Sequence, residues 1–267
     1  MSPSEAFPIF ATIMTLHYKT FGAGPSVLIL HGLFGTSDNW QTIAKQLAGD
    51  FQVFLVDLRN HGRSPHAAEM DYPLMAADIR QFTEEHSIRQ THVVGHSMGG
   101  KVAMQFALDY PNLVDHLAII DIAPKAYPPG HLAIFEALTA MRLGGLDSRK
   151  EADAMLASSI PQLAVRQFLL KNLHRDRDGF RWKMNLLVLY ESYDHLIAAV
   201  GADEPFEGPS LFVRGGQSDY IQPTDEAGIR RLFPRATIET VARAGHWVHA
   251  SAPSQLLALL RSFLLKQ

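Results

Sequence analysis

Eight residues in the first half of the chain, Val93-Val94-Gly95-His96-Ser97-Met98-Gly99-Gly100, constrain the fold more than any others. Thr91-His92-Val93-Val94 reads as a buried strand, and Lys101 to Leu108 carries apolar residues at helical spacing before Pro111 ends it. A strand that reverses at once into a helix holds the residue at the turn in a strained backbone conformation. Side chains at positions 95 and 99 would collide there, and Gly100 lets the helix pack close. The turn leaves the Ser97 hydroxyl exposed at the carboxyl end of the strand, beside the first unbonded N–H groups of the helix. Ser97 therefore reads as a nucleophile with oxyanion donors next to it.

The flanking pattern extends this unit into a sheet. Ser26 to Leu30, Phe51 to Val56, His116 to Ile120, Ser210 to Arg214 and Ala236 to Val241 read as strands, several of them continuously apolar, as strands buried on both faces must be. Ala11 to Phe21 alternates and reads as an edge strand or hairpin. Helical runs alternate with the strands: Trp40 to Leu47, Tyr72 to His86, Thr224 to Leu232 and Pro253 to Leu264. That alternation predicts an α/β fold with a mostly parallel central sheet, helices on both faces, and binding at the strands' carboxyl ends. From Pro128 to Gly201 the period is helical, with Phe180 to Val200 as its longest run and no strand signal. The expected organisation is a core of residues 1–124 and 206–267, with 1–14 as an N-terminal arm, and an all-helical cap or lid over 125–205.

Composition narrows the chemistry. With 267 residues, 47% of them apolar, the chain can bury a sizeable core. Its formal net charge of −3 and scattered basic residues predict neither a nucleic-acid nor an anionic-membrane partner. The absence of cysteine excludes disulfides, thiol catalysis and thiolate-bound zinc, and suits a reducing, cytoplasmic setting. No stretch approaches the roughly 20 apolar residues that a membrane-spanning helix needs. His31, Asp57 and His61 are ligands by type but not by spacing, and Gly22-Ala23-Gly24 runs into proline and a strand, so neither a metal nor a phosphate-bearing cofactor is expected.

Acyl transfer by serine needs a base, a carboxylate to orient it, and donors for the oxyanion. Among 13 histidines, His246 stands out, in a glycine-flanked loop after the last strand, late in the chain. His31-Gly32-Leu33-Phe34-Gly35, Asp57 to Ser64, Gly95 to Lys101, Asp121-Ile122-Ala123-Pro124 and Gly245 to Ala250 together resemble the serine esterases of the α/β-hydrolase superfamily. The similarity is to the group of bacterial YbfF-type esterases and eukaryotic abhydrolase domain protein 11, and it spans the chain from Leu16 onward. The resemblance implies Ser97 as nucleophile, His246 as base, and the Leu33 and Met98 amides as the oxyanion hole. Two aspartates occupy positions that the superfamily uses for the acid. Asp219, 27 residues before His246, is the more usual arrangement and the preferred reading; Asp121 is the alternative. His96 and Met98 read as pocket or packing residues, and Asn39-Trp40 and Arg59-Asn60-His61 as loop-shaping motifs.

The implied reaction is cofactor-free hydrolysis of a small-molecule carboxylic ester, with short to medium acyl chains expected from the resemblance. Serine at the elbow argues against dehalogenase and epoxide hydrolase chemistry. A thioesterase, lactonase or perhydrolase would use the same residues. A non-catalytic member of the fold would often lack the serine or the histidine, and this chain carries both.

Overall fold

The computed structural model describes residues 14–177 and 179–266. Of the expected N-terminal arm, residues 1–13 lie outside that range. In chain order the elements are β1 (Tyr18–Phe21), β2 (Ser26–Leu30), α1 (Gln41–Leu47), β3 (Gln52–Val56), α2 (Tyr72–Glu85), β4 (Thr91–His96), α3 (Met98–Asp109) and β5 (Val114–Ile120). There follow α4 (Leu132–Ala140), α5 (Arg149–Leu156), α6 (Leu163–Leu170), β6 (Leu173–Asp176), β7 (Gly179–Trp182), α7 (Leu186–Glu191) and α8 (Tyr193–Ile197). The chain then returns through β8 (Ser210–Gly215), α9 (Glu226–Leu232), β9 (Ala236–Val241), α10 (Val248–Ser251) and α11 (Pro253–Leu264).

Seven strands form one sheet in the order β1-β3-β2-β4-β5-β8-β9, parallel except for β1, which pairs antiparallel with β3 at the edge. Central β2 is Ser-Val-Leu-Ile-Leu, and its four apolar residues are no more than 1% exposed, the state its uninterrupted apolar run demands. Each face carries its own core. One packs α2, α3 and the inserted helices; the other packs α1 and α11, where Leu256, Leu260 and Phe263 meet Ile43, Leu47 and Val53. Burying each such side chain contributes about 1.5–3 kcal/mol, so α11 is held by its apolar stripe. Helix α2 starts where the Asp71 carboxylate accepts the Leu74 N–H at 2.8 Å, with Pro73 in its first turn.

The segment between β5 and β8 is not wholly helical. β6 and β7 pair antiparallel, Leu173 with Trp182 through Asp176 with Gly179, and this corrects the expectation of one helix from Phe180 to Val200. Gly179, which opens β7 opposite Asp176, has a φ of +117° that side chains rarely adopt. After it the helical run divides at Ser192 into α7 and α8. Among the described residues no helix is long and apolar enough to cross a membrane.

Candidate active site

Two backbone elbows stand side by side at the carboxyl end of the sheet. Ser97 follows β4 with φ 53° and ψ −122°, and Asp121 follows the neighbouring β5, also with φ 53°. Each is pinned by a ladder hydrogen bond that continues its strand: Ser97 N–H to Ile120 O at 3.1 Å, and Asp121 N–H to Val213 O at 2.8 Å. The glycines around Ser97 are required sterically. A Cβ on Gly95 would lie 2.7 Å from Gly100 Cα, one on Gly99 would overlap the Leu30 and His31 carbonyls, and one on Gly100 would strike Ile122. Strained conformations of this kind persist only where the surroundings over-determine them.

His246, in the loop after β9, joins the two elbows. Its Nε2 lies 3.0 Å from Ser97 Oγ, and its Nδ1–H donates to Asp121 Oδ2 at 2.8 Å. Asp121 is fully buried and well supplied with donors: Oδ1 accepts the Gly215 N–H at 2.8 Å, and Oδ2 also accepts the Ser218 hydroxyl. With Nδ1–H committed to the carboxylate, the Nε2 lone pair faces the serine hydroxyl, the tautomer a general base requires. Tyr220 stacks on the imidazole, ring centroids 3.9 Å apart and planes 18° from parallel. Burial raises its phenol to about 12, so it stays neutral.

Asp219, preferred from the sequence, is elsewhere. It is exposed, and its Oδ1 accepts from Gln222 Nε2 at 3.2 Å, whereas the imidazole is hydrogen-bonded to Asp121. The reason lies in the loop after β8: it sets Ser218 on Asp121 and Tyr220 on the imidazole, and leaves Asp219 exposed at the edge of the second cavity, bonded to Gln222. Sequence reasoning singled out neither Ser218 nor Tyr220; the one signal was their place in the loop after β8.

The loop after β2 faces the same point. His31 donates from Nδ1 to Gly32 O at 2.9 Å and accepts the Leu58 N–H on Nε2 at 3.1 Å, while burial lowers its pKa. It is thus a neutral strut under the Gly32–Gly35 turn rather than a proton carrier. His96 does similar work: its Nε2–H donates to His246 O at 2.9 Å, and burial holds its pKa well below the usual range. Asn39 Oδ1 accepts the Thr36 N–H at 2.7 Å, and Arg59 clamps Asp78 through two bonds of 2.6 and 2.7 Å, both of them roles in shaping loops. Asp57 accepts the Ser37 and Arg63 amides, and His61 donates from Nδ1 to Arg59 O. His61 is pushed down to about 3, chiefly by burial.

Two cavities meet at Ser97. One, about 270 Å³, is lined by Phe34, Trp40, Ile134, Phe168 and Trp247. The other, about 400 Å³, is lined by Tyr72, Met98, Ile122, Tyr127 and Leu196. Leu33, His131 and Tyr220 border both. Residues of the inserted segment therefore wall each cavity. That segment is tied to the core beneath the second one. Lys101 Nζ donates to the Ile197 and Ala198 carbonyls, Tyr72 OH donates to Leu196 O, and the ammonium lies 4.8 Å from the Tyr127 ring centre. Desolvation lowers Lys101 to about 7.

A parallel sheet with helices on both faces, and a serine elbow facing a histidine and a buried aspartate at its carboxyl edge, define a serine hydrolase of the α/β type. Comparison with known proteins agrees. Residues 25–141 match the family model described as alpha/beta hydrolase fold. Mouse sn-1-specific diacylglycerol lipase ABHD11 is 40% identical over 250 residues, 90% of this chain and 81% of that protein. Escherichia coli esterase YbfF is 36% identical, covering 89% of this chain and 92% of the relative. Among solved structures, a marine microorganism esterase superposes with a TM-score of 0.92 at 38% identity, covering 94% of this chain and 99% of that one. The chain belongs to the α/β hydrolase family, in the branch of esterases and lipases that these relatives represent.

Proposed function

We propose that this protein hydrolyses carboxylic esters of short to medium acyl chain through an acyl-enzyme on Ser97. The observation that carries the reading is the continuous path from Ser97 Oγ through His246 to Asp121, with links of 3.0 and 2.8 Å, at the junction of two cavities. Ser97 Oγ attacks the ester carbonyl as His246 Nε2 takes its proton. The Leu33 and Met98 amides receive the oxyanion, a role favoured by the unbonded N–H groups at the start of α3 and by Leu33 bordering both cavities. His246 then protonates the departing alcohol, and water repeats the cycle on the acyl-enzyme. Asp121 holds the imidazole tautomer and stabilises the imidazolium.

In this reading the core is 1–124 with 206–267, and the segment 125–205 acts as a lid whose Phe168 and Leu196 shape the two substrate-holding spaces. The test is hydrolysis of p-nitrophenyl esters from acetate to palmitate, and of a diacylglycerol, by wild type and Ser97→Ala. Turnover of the shorter esters that falls by on the order of 10⁵ or more in the variant is the expected result. Equal turnover in the two proteins refutes the mechanism.

A further inference from the structure

At the end of the sheet opposite Ser97, three potential metal ligands converge. The pairing of β4 with β5 slips there: Thr91 faces Val114 and Val93 faces Leu117, so the single residue His92 stands against two, Asp115 and His116. A bulge of this kind re-aims side chains, and here it lets consecutive residues of one strand approach the same imidazole. His92 and His116 are 5% and 6% exposed, with ring centres 5.1 Å apart. The Nδ1 atom of each is buried and has no hydrogen-bond partner among the described residues. Asp115 Oδ2 lies 3.3 Å from both nitrogens, and the three ligand atoms all fall within 4.8 Å of one another.

Ion pairing alone accounts poorly for this cluster. It leaves two buried nitrogens without hydrogen bonds, each costing on the order of 1–3 kcal/mol. Metal coordination would satisfy both. For metal–ligand bonds of about 2.0–2.1 Å, the edge of a tetrahedron is about 3.3–3.4 Å; the carboxylate oxygen already keeps that spacing from each imidazole, and binding an ion would draw the two imidazole nitrogens in from within 4.8 Å of each other. Asp115, half-exposed, leaves a side open to solvent for a water. Phe51 and Phe263 set their rings edge-on against His92 and His116 and hold both in place.

We infer that His92, Asp115 and His116 form a binding site for one divalent zinc-class cation, with water as the fourth ligand. Two imidazoles, one carboxylate and a water make a donor set that zinc takes. The site lies roughly 16 Å from Ser97, five residues back along β4. It would clamp the starts of two central strands and take no part in ester chemistry.

The experiment uses the untagged full chain, stripped with a chelator and titrated with Zn²⁺ by calorimetry and with Co²⁺ by visible absorption, alongside Asp115→Asn and His116→Gln. The expected result is one ion per chain, strong four-coordinate Co²⁺ bands, and a higher melting temperature with Zn²⁺. Both variants should bind about tenfold or more weakly, while ester turnover stays at the wild-type level. Asp115→Asn, at a half-exposed position, keeps the test valid if His116→Gln fails to fold. No saturable binding to wild type, or unchanged affinity in Asp115→Asn, overturns the proposal.

Discussion

Replacing Asp121 by asparagine separates the two candidate acids, and the structure sets the size of the effect. An amide at position 121 has two orientations. If its oxygen stays on the Gly215 N–H, its NH₂ faces His246 Nδ1, which must then accept. The imidazole proton moves to Nε2, and Ser97 loses its base. If the amide flips, the imidazole keeps its tautomer, but the NH₂ confronts the Gly215 N–H. That orientation leaves a buried donor unpaired, about 1–3 kcal/mol, and also loses a charge-assisted bond of about 1.5–3 kcal/mol. The range, roughly 2.5–6 kcal/mol, corresponds to a loss of about 10² to 10⁴ in rate, and the tautomer trap sits at its upper end. Asp219→Asn alters an exposed side chain at the edge of the second cavity that is hydrogen-bonded to Gln222 and not to His246, and should change turnover by no more than about twofold. The assay is kcat/KM on p-nitrophenyl butyrate, with near-UV circular dichroism to verify that both variants are folded. A collapse in Asp219→Asn with Asp121→Asn near wild type would refute the assignment of Asp121.

Ser218→Ala removes the hydroxyl that donates to Asp121 Oδ2 and should lower kcat by about tenfold with KM little changed, measured on the same ester. Gly99→Ala drives a methyl group into the Leu30 and His31 carbonyls, so it should cost several kcal/mol, on the order of 3, read as a lowered urea midpoint; an unchanged midpoint contradicts the close packing described. Lys101 gives a pH signature. Because burial lowers its folded-state value to about 7, the unfolded chain binds more protons from there up to about pH 10, and stability contributed through this group rises with pH across that window. Urea titrations at pH 7.5 and 9 should show wild type gaining on the order of 1 kcal/mol relative to Lys101→Met; parallel behaviour of the two proteins would contradict the burial argument.

What was legible in the sequence was whatever local sterics and periodicity encode. The glycines at 95, 99 and 100 declare a strand-to-helix reversal because no other residue fits, and β2 and β8 declare themselves by uninterrupted apolar runs. The positions of Ser97 and His246 followed from the elbow and from the order of elements. Which aspartate faces His246 was not legible, since Asp121 and Asp219 both follow strands and only three-dimensional placement separates a buried carboxylate beside the imidazole from an exposed one. The β6–β7 hairpin escaped for a different reason: four-residue strands are too short to show a period of two against neighbouring helical runs. Likewise the slip between β4 and β5 leaves no motif, because His92 meets Asp115 and His116 only through sheet pairing.

The placement of Asp121 after β5 also bears on how such a chain can diversify. Ser97 and Asp121 lie 24 positions apart on neighbouring paired strands, both upstream of the excursion that begins after β5 and ends at β8. A supporting aspartate in the loop after β8 would have its position tied to the path by which the chain returns from that excursion. Here insertions, deletions or a transplanted segment between 125 and 205 leave serine and carboxylate in register with one another. What must be regained after the excursion are β8 and the loop that follows it, which supply the partners of Asp121 at Val213, Gly215 and Ser218, and the late histidine loop, which rests on the sheet through His96 and the β8–β9 pairing. The walls that 125–205 lends to the two cavities can therefore change while Ser97 and Asp121 keep their places at the ends of paired strands.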